Sequence, residues 1–178
     1  MKSTRFILLT LLLVSTSLVV GAETKKKLKE PVKDPNGISW YDYEAGWQKA
    51  KTENKHMFVD FTATWCGWCK RLESGTFSDP RVIESLTKDF VPVKVWEKCP
   101  DTLDIDGLKI ASEDLRQKEF GAQSFPMLWF VSPKAVRVGP IRGYVDANTL
   151  MKFLDVVKTY KYDTTLDASG NPKTPAKP

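Results

Sequence analysis

The stretch VDFTATWCGWCKR, from Val59 to Arg71, places Cys66 and Cys69 with two residues between them, sets Trp65 and Trp68 beside them and carries Asp60 six residues upstream of Cys66. The apolar, β-rich run HMFVDFTA before it (His56 to Ala63) predicts a buried central strand, and a helix is expected to begin at Cys66 and continue through KRLESGTF. Three chemistries compete for such a pair. A structural zinc site needs four ligands, and the remaining candidates are Cys99 and the single histidine, His56. On a strand, His56 would lie roughly 20 Å back from the end that meets Cys66, too far to share a metal. An inert staple gains little, because closing so short a loop removes little entropy. A dithiol that opens and closes uses everything present. A sulfur at the first turn of a helix faces unpaired backbone N–H groups and the positive end of the helix dipole, which favour thiolate over thiol. In such motifs the thiol pKa falls to about 3.5–7.5. Cys66 is then the exposed nucleophile and Cys69, one turn further in, the buried resolver. Lys70 and Arg71 either add positive potential or are simply solvated.

The elements alternate outward from this point. YDYEAGWQKAKTEN, with Tyr43, Trp47 and Ala50 at helical spacing, predicts an amphipathic helix ahead of the first strand. SDP offers Ser78 or Asp79 as a cap, with Pro80 in the first turn of a helix through Leu86. FVPVKVW is the next strand, and Pro92 removes it from a fully paired central position or places it near the strand start. SEDLRQKEFG reads as a helix capped by Ser112 and ended by Gly121. MLWFV, the turn SPKA and VRVGPIRGY form a hairpin. Leu150, Phe153, Leu154 and Val157 give a closing helix its apolar stripe. Such alternation means an α/β sandwich around a mixed sheet.

The rest of the chain sets limits. At 178 residues, 42% hydrophobic and 28% charged, it is neither disordered nor fibrous and can bury one core without staples. MKSTR followed by FILLTLLLVSTSLVV and the small residues VGA predicts a signal peptide over residues 1–22, cut near Ala22. A membrane anchor is the alternative, though the run is short for a span of about 20 residues. Export favours persistent disulfides. Three cysteines leave one over, and Cys99, outside every motif, is expected to be dispensable for the chemistry. The net charge of +5 falls by two when Lys2 and Arg5 leave with the signal, and much of the rest sits in a basic linker, residues 23–38. A solvated linker explains it better than nucleic-acid binding, so no nucleic acid is expected. A domain over 39–162 and a disordered Pro/Ser/Gly/Lys-rich tail over 163–178 complete the layout. TLDIDGLKIASE sets Asp104, Asp106, Gly107 and Glu113 at calcium-loop offsets, but Thr102 takes the first ligand position, so an Asp/Gly-rich turn is the better reading.

VDFTATWCGWCK resembles the active-site segment of the thioredoxin superfamily, whose usual form is close to V-D-F-x-A-x-W-C-G-P-C-K. The resemblance extends from about Trp40 to Val157 and implies a thioredoxin fold, a central mixed β-sheet flanked by helices, with an N-terminal helical extension. It implies that Asp60 is the buried acid that helps to deprotonate Cys69, and that Lys94 is the lysine of the next strand near that acid. It also implies that SFPMLWF holds a cis Phe125–Pro126 bond facing the disulfide and that Gly143 precedes the last helix. Within the superfamily, KHMFVDFTATWCGWCKRLESGTFSDPRV is similar to the C-terminal periplasmic domain of the DsbD transmembrane electron carriers and to small exported thioredoxins. The likeness implies an exported thiol-disulfide oxidoreductase, periplasmic or otherwise secreted, that reduces protein disulfides. It further implies no small-molecule cofactor, no metal, a membrane electron donor of DsbD type, and a monomer. Trp68 stands where the family has proline, Thr62 where a tryptophan is frequent, and bulky Phe125 before the cis-proline. Trp65, Gly67, Trp68, Phe125 and Pro126 would form the substrate surface around Cys66. The rival readings are an oxidase or isomerase of the same fold, and a binding module that holds a partner or copper, with Met57 and Met127 flanking the pair.

Overall fold

The computed structural model describes residues 27–163. The expected signal peptide, the first residues of the basic linker and nearly all of the tail lie outside them. In chain order the elements are a short ribbon of β1 (Val32–Lys33) and β2 (Ser39–Trp40), α1 (Tyr43–Glu53), β3 (His56–Thr62), α2 (Gly67–Ser74), a 3₁₀ turn over Thr76–Ser78, α3 (Pro80–Asp89) and β4 (Phe90–Trp96). There follow β5 (Thr102–Ile105), β6 (Leu108–Ala111), α4 (Ser112–Asp114) running into a π-helical turn over Leu115–Glu119, β7 (Met127–Val131), β8 (Arg137–Arg142) and α5 (Ala147–Lys158). The main sheet has the order β4-β3-β7-β8, with β3 parallel to β4 and antiparallel to β7. This is the mixed sheet of a thioredoxin fold.

All seven residues of β3 are buried, as a strand covered on both faces must be. Met57, Val59 and Phe61 join the core on the α1 side, with Tyr43, Trp47 and Phe120. Phe58 points the other way, into the core that holds Leu72 of α2, Leu86 of α3 and Leu154 of α5. By strand alternation Asp60 shares the α2 side with Phe58. That parity brings the acid beneath the cysteine helix.

Caps fix the helix ends. Asp42 accepts the N–H of Ala45 at 2.8 Å, Asp79 that of Arg81 at 2.9 Å and Asp146 that of Thr149 at 3.0 Å. Asp79, not Ser78, is therefore the cap of α3. Pro92 lies where a missing donor costs least. Tyr41 forms a bridge on the outer side of β4, donating to the Pro92 carbonyl and accepting from the Lys94 N–H, both at 2.9 Å. The Pro92 nitrogen faces this outer rim. Pro140 lies in β8, at the opposite rim, and the β7–β8 register shifts between Phe130 and Val131.

Several expectations need correction. The last part of the presumed linker folds onto the domain: β1 pairs with β2, Ile38 is fully buried, and Asp34 accepts the Ile38 N–H and the Trp40 indole N–H, each at 2.9 Å. The segment from Thr102 to Ala111 is a β5–β6 hairpin, turned at Asp106 (φ 55°) and Gly107 (φ 88°). The Asp106 carboxylate accepts from the indole N–H of Trp47 at 2.8 Å and from Gln48 at 3.0 Å, and pairs with Lys51, so it fastens the hairpin to α1. Ser112 is not a cap but the first residue of α4, which follows Ala111 without a side-chain cap bond. The helix then widens into a π turn whose Phe120 N–H donates to the Leu115 carbonyl at 3.1 Å, leaving both side chains in the core. Phe153 falls on the rim of the α5 stripe and is 42% exposed, while Leu150, Leu154 and Val157 are buried. His56, already set aside as a zinc ligand by its distance along the strand, is buried and lies 2.6 Å from the Tyr162 hydroxyl.

Candidate active site

Cys66 and Cys69 are joined as a disulfide with their Cα atoms 5.3 Å apart. Cys66 is the N-cap of α2 rather than its first residue, with extended backbone, and its Sγ accepts the Cys69 N–H at 3.1 Å. One of the four orphan N–H groups of the helix is thus aimed at this sulfur, and the dipole adds to it. The expectation of an exposed Cys66 over a buried Cys69 does not hold in this disulfide form: they are 4% and 3% exposed. Ala63 and Phe125 pack around both sulfurs and close them off. The two cysteines differ by position in the helix, not by accessibility.

The aromatic surroundings do converge. Trp65 is 65% exposed and Trp68 58%. The Trp65 indole N–H donates to Glu97 at 2.6 Å, and its ring meets Phe125 edge-on at 5.9 Å. Phe125–Pro126 is a cis bond. Gly67 has open space where a Cβ would stand. Trp68 lies 5.7 Å from Tyr144, and the Arg71 guanidinium packs on both rings, at 5.9 and 5.6 Å. Of the five residues expected to surround the disulfide, Phe125 packs on the cysteines and Trp65 on Phe125, while Trp68 pairs with Tyr144 and Arg71.

Asp60 is 1% exposed, and its Oδ1 has no hydrogen-bond partner among the described residues. Burial raises its carboxyl to about 7; nearby Lys94 pulls it back down and Glu73 pushes it further up. Lys94 is opposite Asp60 in the β3–β4 register, as the resemblance implied. Its ammonium, however, donates to Glu73 at 2.8 Å and lies over the ring of Trp40 at 4.6 Å. The lysine thus acts on Asp60 by charge, not by a hydrogen bond. The Glu73–Lys94 pair lines a groove of about 690 Å³ that also takes in Lys70 and Trp96, so solvent reaches the ammonium. Sequence reasoning missed Glu73. The available signal was spacing: Glu73 stands four residues after Cys69, on the same face of α2.

The Glu73 charge can be tested directly. Glu73→Gln removes the negative charge that helps to keep Asp60 protonated and frees Lys94 to act on it. The Asp60 midpoint is expected to fall below about 7. Carboxyl ¹³C titration by NMR reads it, and a midpoint that rose or stayed in place would show that Glu73 has no hold on the acid.

Of the alternatives, Met57 and Met127 are core residues, and Cys99 is a half-exposed free thiol in the loop before β5. Among the described residues no group of histidine, cysteine or acidic side chains is gathered as a metal site.

Comparison with known proteins agrees with this geometry. The thioredoxin-like domain family matches residues 43–158. The chain is 30% identical over 119 residues to the thiol:disulfide interchange protein DsbD of Campylobacter jejuni, an alignment covering 65% of this chain and 19% of that protein. The chain thus corresponds to about a fifth of this relative's length. Among solved structures, a thioredoxin from Thermus thermophilus superposes with a TM-score of 0.57 at 23% identity, covering 67% of this chain and 86% of that one. A thioredoxin-fold protein from Helicobacter pylori reaches 0.59 at 18% identity, covering 66% and 78%. By its family match, its sheet and its close Cys66–Cys69 pair, the chain belongs to the thioredoxin-like family of oxidoreductases.

Proposed function

We propose that the protein is an exported thiol-disulfide oxidoreductase that reduces disulfides in other proteins. The observation that carries this reading is Cys66 at the N-cap of α2 with the buried Asp60 on the sheet face beneath that helix. The Cys66 thiolate attacks one sulfur of a substrate disulfide and expels the other as a thiolate. Cys69, giving its proton to the Asp60 carboxylate, then attacks the Cys66 sulfur. The second substrate thiolate leaves, the Cys66–Cys69 disulfide closes, and two electrons have passed to the substrate. The proton returns from Asp60 to the leaving thiolate or to water, with Lys94 and Glu73 setting its affinity. The two cysteines carry the electrons, so no cofactor or metal enters. A signal over residues 1–22, a shortened linker, the domain and a tail would suit an exported protein, which we take to act as a monomer.

The reductive direction rests on the residues between the cysteines. Gly67 and Trp68 offer no imidazole to hydrogen-bond the reduced thiolate, which favours a less oxidising disulfide. The name of the Campylobacter relative, a thiol:disulfide interchange protein, fits such traffic, and an exported reductase would be recharged by a membrane donor of DsbD type. Equilibration with glutathione buffers decides it. A potential near the roughly −270 mV of thioredoxins is expected. One at or above about −180 mV would make the protein an oxidase or isomerase instead. Failure to reduce insulin at any potential would leave the binding-module reading.

A further inference from the structure

The face around the disulfide carries more charge information than the exchange reaction uses. Arg71 is exposed, and its guanidinium lies beside the Trp68–Tyr144 ring pair, 5.9 and 5.6 Å from the two ring centres. A cation–ring contact of this kind leaves the guanidinium N–H donors unoccupied. No carboxylate among the described residues pairs with it. Arg142, also exposed and also without an ion pair among the described residues, is opposite Met127 in the β7–β8 register, next to Pro126. The next residue, Gly143, donates its N–H to the Pro126 carbonyl at 2.9 Å. Arg142 therefore stands at the end of β8 beside the Phe125–Pro126 loop, and Arg71 reaches the same end of the sheet from the α2 side through Tyr144, the residue after Gly143.

The acids of this neighbourhood are engaged. Glu97 accepts the Trp65 indole N–H, Glu73 holds Lys94, and Asp146 accepts the N–H and hydroxyl of Thr149 at the start of α5. Glu97 and Asp146 keep their negative charge, since their partners are neutral donors, but neither pairs with Arg71 or Arg142, which are left to meet an incoming carboxylate. A guanidinium in that condition suits a carboxylate, which it can bind in bidentate fashion. The contacting rings of Trp68 and Tyr144 supply exposed apolar area next to it, so the matching segment joins acidic to apolar residues.

We propose that Arg71, set beside the Trp68–Tyr144 ring pair, together with Arg142, selects partner segments that carry aspartate or glutamate close to the reacting cysteine. The inference rests on the oxidoreductase reading and names the class of substrate it serves. Charge of this kind acts mainly on association, so it changes the rate of encounter more than the chemistry.

Three disulfide peptides of equal length, with glutamate, glutamine or lysine flanking the cystine, test it in single turnovers with pre-reduced protein. At low salt the glutamate peptide is expected to react on the order of tenfold faster than the lysine peptide. The ratio should shrink toward one in high salt, since these charges are exposed. In Arg71→Glu the order of the two peptides should invert. The conservative Arg71→Lys should keep the sign of the preference and lose part of its size, because an ammonium lacks the planar fork. Brisk turnover of all three peptides at equal rates would overturn the acidic-partner inference while leaving the oxidoreductase standing. No reaction with any of them would overturn the oxidoreductase reading and this inference with it.

Discussion

Cys66→Ser is expected to lower turnover by at least about 10³-fold and to trap no partner, whereas Cys69→Ser should accumulate mixed disulfides with substrate proteins. The asymmetry follows from helix position. Cys66 caps α2 and its sulfur takes a helix N–H, so its thiolate is the stabilised one. Cys69 lies inside the first turn, where its own N–H is already spent on Cys66. Non-reducing gels with alkylated extracts, followed by release with dithiothreitol, read the result. Equal trapping by both variants would remove the assignment, and since both sulfurs are buried in the disulfide form, accessibility alone would not restore it.

The second large effect belongs to Asp60. A carboxyl raised from 3.8 to about 7 by burial contributes stability that is complete below about pH 4 and is lost as pH rises toward about 7. At about 1.4 kcal/mol per pH unit, the penalty for ionising it is on the order of 4 kcal/mol. Asp60→Asn removes that penalty and leaves a buried amide whose unmade hydrogen bonds cost about 1–3 kcal/mol at any pH. The stability of the variant relative to the native protein should therefore climb between pH 4 and pH 8, by up to on the order of 4 kcal/mol. Urea unfolding of the oxidised proteins measures it. His56, pushed down to about 4 by burial, gives the opposite slope, its stability being lost as pH falls below about 6.5. That slope is common to both proteins and cancels in the difference. A difference that did not move with pH would mean an acid titrating at its ordinary value. The same substitution should slow release of the mixed disulfide near neutrality by on the order of 10²-fold, because the base that takes the Cys69 proton is gone. Unchanged release from pH 6 to 8 would hand that role to water.

Much of this was legible because local chemistry and tertiary context agree. The seven-residue β-rich run at β3, the Ser-Asp-Pro start of α3 and the Cys-Gly-Trp-Cys spacing specify strand, helix start and site without knowledge of the partners. The failures have a different origin. The β5–β6 hairpin hides in a segment of mixed polarity whose aspartates look like ligands until Trp47, Gln48 and Lys51 are seen to take one of them. A π turn cannot be read from 3.6-residue periodicity, since Leu115 and Phe120 are five apart. The burial of Cys66 and the diversion of Lys94 to Glu73 depend on side chains that meet only in the folded state.

The rims of the sheet decide how these molecules behave in a crowd. An unprotected rim strand is a template on which identical chains can stack into insoluble ribbons. Here one rim is closed by the Tyr41 bridge at Pro92, and the other is interrupted by Pro140, whose nitrogen has nothing to donate, with the exposed Arg142 at its end. Copies that meet side by side find a broken ladder and like charges. Such a protein should stay dispersed at high concentration, leaving the loop at Pro126 as the place where a visiting strand can settle.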